Sequence, residues 1–468
     1  FEISKHIEIF ANLYKEINTY YVDDIDPGHL MRTGIDAMLE SLDPYTNYIS
    51  EAQIEDYRYI TEGKYHGIGA FVVNINNLPT IVDPYEESPV SKAGMKAGDQ
   101  ILEVDGKSTA GKSADDVNTI LKGYPGTEVQ LKIRRPGESK NLNVNLVREE
   151  VSVENVPHFD MVKNVGYVNL TTFTRNAGRN VSNAFKELKE ANPEMTGIIL
   201  DLRNNGGGLL NEAVNICNIW IPKNEVVVNT KGKVAEWDRS YNTRMEPVDL
   251  EMPVAVLINN RSASASEIVS GVIQDYDRGV LIGQRSYGKG LVQNTKEIGY
   301  NSKVKVTTAK YYIPSGRCIQ SVEYDDGEPV DIDEGKRAAF TTRSGRKVLD
   351  GGGVKPDVLI EKKTDLTVIK NLLSQHMIFQ FATDYASKNP APSDPGQFRL
   401  PDYNRFVSFV NKQGFSNNTE TEKVLANLKK KARKEDYSSD LSAQIQQLES
   451  QLEATKNRDL VKYQDEIT

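Results

Sequence analysis

Asn260-Arg261-Ser262-Ala263-Ser264-Ala265-Ser266-Glu267, followed by Tyr287-Gly288-Lys289-Gly290, is the stretch on which the reading of this chain turns. The first segment is a small, serine-rich turn running into a helix. The second presents a lysine between glycines. A serine hydroxyl is a poor nucleophile until a base takes its proton; the usual base is His, and an uncharged Lys serves in its place. The five histidines (His6, His29, His66, His158 and His376) all lie far from this segment in sequence. A serine hydrolase built here has to use lysine. A plainer reading competes with this one. Small residues before a helix mark an N-cap, Ser264 or Ser266 fits that role, and Gly-Lys-Gly is a common surface turn. Ser262 and Ser266 also compete with Ser264 as the nucleophile.

Outward from this stretch, residues 150–365 alternate strand and helix. Strands are expected at 165–170, 196–202, 254–258 and 280–282, with helices at 176–190, 209–220 and 264–276, and further strands at 295–298 and 303–313. Alternation of this kind implies an α/β core with helices packed on a sheet. Upstream, residues 63–149 change to short β-runs separated by glycine turns. The run Ala93-Gly94-Met95-Lys96-Ala97-Gly98-Asp99-Gln100-Ile101-Leu102-Glu103-Val104-Asp105-Gly106 resembles a PDZ domain. Such a domain captures a peptide by strand addition. Amides of the Gly67, Ile68 and Gly69 loop would take a terminal carboxylate, and the strand from Ala70 would pair with the peptide. Val117 and Leu121, on a helix near 113–122, would cover an apolar side chain.

Residues 1–62 read as helices. Ile3, Ile7, Phe10, Tyr14, Ile17 and Tyr21 form one apolar stripe. So small a unit buries its own core poorly and is expected to pack on another domain or on a second copy of the chain. Residues 366–468 turn helical again after a polar break at 388–397. There Leu441, Ile445, Leu448 and Leu452 supply a seam too short for an independent coiled coil.

Composition narrows the class. The chain has 468 residues, 38% hydrophobic and 26% charged, with a net charge of −9. Such a length calls for about three domains. The acidic balance argues against nucleic acid as the main partner. No apolar run reaches the roughly 18 residues of a membrane span. The chain opens at Phe1, as expected of a trimmed or mature form whose leader or anchor lay upstream. Cys217 and Cys318 are expected as two buried thiols rather than a bridge.

Together the motifs resemble the C-terminal processing peptidases, also called tail-specific proteases. The resemblance rests on Asn260–Glu267 with Tyr287-Gly288-Lys289-Gly290-Leu291-Val292-Gln293. It extends to Leu42-Asp43-Pro44-Tyr45-Thr46, to Leu200–Leu209 with its Gly206-Gly207-Gly208 turn, and to Thr308–Tyr312, Pro314–Arg317 and Gly353–Asp357, spanning roughly residues 10–365. It implies a multidomain α+β protein: a crotonase-like α/β protease core at 150–365 behind a PDZ domain at 63–149, with helical N-terminal (1–62) and C-terminal (366–468) regions. It implies Ser264 as nucleophile, Lys289 as base and Gln293 as the residue that orients the lysine. Ser266 is then better explained as the N-cap. The oxyanion donors expected are the amide of Ala265, at a helix N-terminus, and that of Gly207 or Gly208. For Lys289 to be neutral, its ordinary pKa of about 10.4 has to fall by roughly 3, a cost of about 4 kcal/mol. No metal or organic cofactor is implied. The implied setting is the periplasm or cell envelope. Implied partners are proteins or peptides with apolar C-termini, an adaptor protein at the PDZ domain, and further copies of the same chain. The alternative is a non-catalytic or latent PDZ scaffold that binds tails. A conventional serine esterase would want Gly-x-Ser-x-Gly, which no serine here has.

Overall fold

The computed structural model describes residues 2–467 apart from 321–323, 326–327, 330–332, 362–366, 393–397, 418 and 436. The expected boundary at 365/366 and the end of the polar break therefore lie outside the described residues. The chain forms two units, residues 1–64 with 154–361 and residues 65–153 with 362–468.

The first unit is built on a six-stranded sheet in the order His158–Val162, Val165–Asn169, Gly197–Asp201, Val254–Ile258, Gly279–Gly283, Val358–Leu359. The first pair is antiparallel and the rest are parallel. Strands covered on both faces read as apolar runs, and Gly197-Ile198-Ile199-Leu200-Asp201 is one. Helix Ala177–Ala191 carries Val181, Ala184, Phe185 and Leu188 on one face, all buried. Helix Leu210–Trp220 and the wholly buried helix Ala265–Asp275 share the same core, around Phe185, Trp220 and Val256. Cys217 is buried in it, and both cysteines are free.

A second, antiparallel sheet in this unit runs Asn47–Ile49, Ser302–Tyr312, Val226–Gly232, Arg239–Asn242, with Leu291–Gly299 paired to Ser302–Tyr312. Residues 1–62 are thus not all helical. Helices Glu2–Tyr20, Pro27–Glu40 and Ile54–Glu62 are interrupted by the strand Asn47–Ile49. Asp43 forces this break, because its carboxylate accepts the amides of Tyr45 and Thr46 at 2.8 Å each and closes a turn that no helix continues through. The helix Glu2–Tyr20 buries none of its residues.

The second unit contains a sheet of Ala70–Ile75, Leu78–Pro84, Gln100–Val104, Glu128–Arg134 and Leu142–Val147, with Ala70–Ile75 at one edge. Helix Ala114–Leu121 begins in a capping box, Ser113 with Asp116. In the same unit the helices Thr367–Ser374, Met377–Ala386, Tyr403–Lys412, Glu420–Lys434 and Ser438–Lys462 enclose a core of Leu372, Phe381, Phe406 and Leu460. The C-terminal helices dock on the sheet domain: Asn76 Nδ2 donates to Gln380 Oε1 at 2.9 Å.

Asp275, at the end of the buried helix, lies 2.9 Å from Arg317, and both side chains are almost fully buried. Burial holds the Asp275 carboxyl above its usual range although the guanidinium beside it pulls the other way. Removing one member of such a pair strands a charge. Arg317→Met is expected to lower unfolding stability of this unit by about 3–5 kcal/mol, whereas Arg317→Met with Asp275→Leu loses far less. Denaturant unfolding decides, and equal losses in the two variants would count against the pair as the cause.

Candidate active site

Ser264 stands at the N-cap of helix Ala265–Asp275 with φ 56° and ψ −113°, a conformation that L residues rarely adopt. The strain is held from several sides. Ser262, buried, donates its hydroxyl to Leu202 O at 2.8 Å, and Ser266, buried, donates to Asn205 O at 2.9 Å. The expectation that Ser266 is the N-cap is therefore corrected: it lies inside the first turn, and its hydroxyl is consumed by the glycine-rich loop. Ser264, partly exposed, is the serine of the three that keeps an open face.

Asn205 organises that loop. Its side chain donates to Leu170 O at 2.7 Å and accepts the Gly207 amide at 2.9 Å, while its carbonyl also accepts the Ala263 amide at 3.0 Å. Gly207 has φ +98°, and a Cβ there would stand 2.8 Å from Ser264 Cβ and 2.9 Å from the Ala265 nitrogen. Only glycine lets the loop approach the serine turn so closely. The choice between Gly207 and Gly208, open in the sequence, now narrows. The Gly207 amide is spent on Asn205, while the amides of Gly208 and Ala265 meet no acceptor among the described residues.

Glu267 joins the serine turn to the lysine loop. Its Oε2 accepts the amides of Ser264 at 2.8 Å and Lys289 at 2.9 Å; its Oε1 accepts the Ser286 hydroxyl at 2.6 Å and the Gly288 amide at 2.7 Å. Tyr311, also buried, adds a second tie, its hydroxyl meeting the carbonyls of Ser264 and Lys289. Glu267 is a first-turn residue of its helix, and three of its four partners, Ser286, Gly288 and Lys289, lie 19 to 22 residues further along the chain.

The Lys289 amine is pushed down to about 8, first by burial and then by Lys305, against the pull of Glu267 and Asp43. It makes no hydrogen bond among the described residues, to Ser264 Oγ or to Gln293; its contact is the Tyr45 ring, with Nζ 4.3 Å from the centroid. Gln293 donates instead to Thr307 Oγ1 at 3.2 Å, and Thr307 donates to Asp43. Asp43, Tyr45 and Lys305 were missed as neighbours of Lys289, and Thr307 as the partner of Gln293. The signal was the motif Leu42–Thr46, whose location follows from long-range strand pairing.

In the second unit, Gly69 has φ +83°, and its carbonyl accepts the Tyr85 amide at 2.9 Å. Gly67 ends the strand Lys64–Gly67, Ile68 is buried in the core, and Ala70 opens the edge strand. Val117 and Leu121 are the helix residues expected to cover an apolar side chain of a bound peptide. They are 0% and 3% exposed and already packed into the sheet, and Asn118 beside them bridges to Val72 O at 3.4 Å.

Comparison with known proteins agrees with this architecture. Residues 164–327 match peptidase family S41, residues 67–146 a PDZ domain, and residues 368–468 the C-terminal helical domain described for a probable PDZ-protease. The chain is 32% identical over 402 residues to a carboxy-terminal-processing protease of Bartonella bacilliformis, covering 84% of this chain and 85% of the relative. It is 33% identical over 364 residues to a probable CtpA-like serine protease of Staphylococcus aureus, covering 77% of this chain and spanning 66% of that relative's length. Among solved structures it is similar to the photosystem II D1 C-terminal processing protease, with 26% identity, a TM-score of 0.40, and coverage of 75% of this chain and 92% of the other. The two relatives are named as a carboxy-terminal-processing protease and a probable serine protease. The chain belongs to peptidase family S41 and carries a PDZ domain.

Burial raises the Glu267 carboxyl from 4.5 to about 7, with its four donors pulling it back. The folded chain thus keeps a proton that the unfolded chain has lost, so stability falls as pH rises from 4.5 to about 7 and is level beyond. The drop is on the order of 3 kcal/mol. Glu267→Gln is expected to flatten that slope and, by turning an amide N–H toward donors, to lower kcat about a hundredfold. Unfolding at pH 5 and pH 8 tests the first point; an unchanged slope would exclude Glu267 as its source.

Proposed function

We propose that this chain is a Ser/Lys endopeptidase that selects proteins by their C-terminal tails. Ser264 is the nucleophile, Lys289 the general base, and Gln293 orients the lysine. Ala265 and Gly208 supply the amides for the oxyanion, and the Gly67–Ala70 segment of the PDZ domain takes the tail's carboxylate. The observation that carries the reading is the shared carboxylate of Glu267, which holds the backbone of Ser264 and of a lysine pushed down to about 8. At that value about one lysine in ten is neutral at pH 7.

The proton leaves Ser264 Oγ for Lys289 Nζ as Oγ bonds the scissile carbonyl carbon. The carbonyl electron pair moves to oxygen, where the two free amides stabilise it. As the intermediate collapses, the lysine ammonium protonates the departing amine, and water then repeats the cycle on the ester. Substrates with apolar tails are taken to lie along the edge strand from Ala70, with Val117 and Leu121 of the neighbouring helix covering the apolar side chain.

The setting proposed is the periplasm or cell envelope; no helix among the described residues is long and apolar enough to cross a membrane. Self-association through the N-terminal helices is supported by exposed Ile3, Ile7, Phe10 and Leu13, and an adaptor is the further partner proposed for the PDZ domain. A second reading, a latent enzyme that binds tails before it cuts, is favoured by the missing hydrogen bond between Ser264 Oγ and Lys289 Nζ.

Ser264→Ala and Lys289→Ala are each expected to lower kcat/KM on an unfolded protein substrate by about 10⁴. Ser262→Ala and Ser266→Ala should retain activity at some loss of stability. Activity surviving in Ser264→Ala would overturn the assignment. In the unmodified protein, kcat/KM should rise about tenfold per pH unit below 8 and level above it, because the base is the neutral amine. A substrate whose apolar C-terminus is made polar should be cut more slowly; equal rates would argue against tail selection.

A further inference from the structure

The turn at residues 42–46 is tied both to itself and to the strand that flanks the lysine loop. Besides the amides of Tyr45 and Thr46, Asp43 accepts the Thr46 hydroxyl at 2.9 Å. The Thr307 hydroxyl donates to Asp43 at 3.2 Å, and the Thr307 amide donates to Thr46 Oγ1 at 3.1 Å. The chain then continues as strand Asn47–Ile49, with Asn47 opposite Lys305. This lattice fixes Tyr45, whose ring centroid lies 4.3 Å from Lys289 Nζ.

On the reading of Lys289 as the base, we propose that Tyr45 is a positioning residue for it: the ring face closes the amine's slot against water and receives the ammonium formed when the amine takes the Ser264 proton. The chemistry of the slot suits such a group. A water or carboxylate hydrogen-bonded to Nζ would favour the ammonium in the resting state and cost the base its neutral form. A π face accepts no ordinary hydrogen bond, yet its quadrupole attracts the cation more than the neutral amine. It therefore acts on the ammonium wherever that form stands, in the resting protein and again between the proton's departure from Ser264 Oγ and its passage to the departing amine. The charged groups facing Lys289 are Lys305 on strand Ser302–Tyr312, Glu267 on helix Ala265–Asp275, and Asp43 on the turn itself. Lys305 opposes the ammonium and the two carboxylates favour it, and none of the three hydrogen-bonds Nζ. Tyr45 is the aromatic group in contact with the amine.

Three substitutions separate the two roles of the ring. Tyr45→Phe keeps the face; Tyr45→Leu keeps the burial without the face; Tyr45→Ala admits water. The pH dependence of kcat/KM and the titration of the Lys289 amine, followed by NMR in lysine-labelled protein, are compared with those of the unmodified protein. Tyr45→Leu is expected to move the acid limb to lower pH and to lower its plateau about tenfold, with KM unmoved. Tyr45→Ala is expected to move the limb the other way, toward the ordinary lysine range, and Tyr45→Phe to keep the limb where it is. Should Tyr45→Ala fail to fold, the Leu and Phe variants still decide. Limbs that move together in Leu and Ala, or stay fixed in both, overturn the proposal; so does Phe behaving as Leu, which would assign the effect to the hydroxyl. Retained activity in Lys289→Ala would instead remove the base reading, while the NMR titration would still report whether Tyr45 governs the amine.

Discussion

The site depends on one buried carboxylate. Glu267 is fully inaccessible and accepts four hydrogen bonds, from Ser264, Ser286, Gly288 and Lys289. Two loops that meet only in the fold are thereby fixed to the first turn of one buried helix. A carboxylate in that position costs desolvation, which its raised pKa registers. The cost is offset by four well-made bonds and by the positive end of the helix dipole. The strained φ of Ser264 persists because Glu267 holds its amide while Tyr311 holds its carbonyl.

The lysine slot follows from the same clamp. With its backbone held by Glu267 and Tyr311, the Lys289 side chain is left to run among Lys305, Asp43 and Tyr45 without an acceptor for its amine. Three segments make this environment: the turn at 42–46 and, far from it in the chain, the loop at 286–290 and the hairpin at 291–312 that directly follows it. The antiparallel pairing of Asn47–Ile49 with Ser302–Tyr312 brings the first to the third. An N-terminal stretch that reads as a helical appendage is in this way built into the neighbourhood of the proposed base.

The glycine-rich loop completes the arrangement through Asn205, which spends the Gly207 amide, while that of Gly208 meets no acceptor among the described residues. That geometry distinguishes two adjacent glycines that composition treats alike. In the second unit Val117 and Leu121 belong to one core cluster with Val72 and Ile81.

Sequence by itself determined the class. Alternating strands and helices gave the α/β core, the glycine-punctuated β-runs gave the PDZ domain, and the serine-rich turn with Tyr287-Gly288-Lys289-Gly290 marked the candidate site. These are local patterns, and local periodicity and turn chemistry are written in contiguous residues. Tertiary structure alone decided which serine keeps an open face, which glycine keeps its amide, that Glu267 rather than Ser266 secures the turn, and that Tyr45 lies over the lysine. Apart from the local Asn205–Gly207 and Ser264–Glu267 bonds, these depend on contacts between residues about twenty to more than two hundred positions apart, and burial then sets how strongly those contacts act on Glu267 and Lys289.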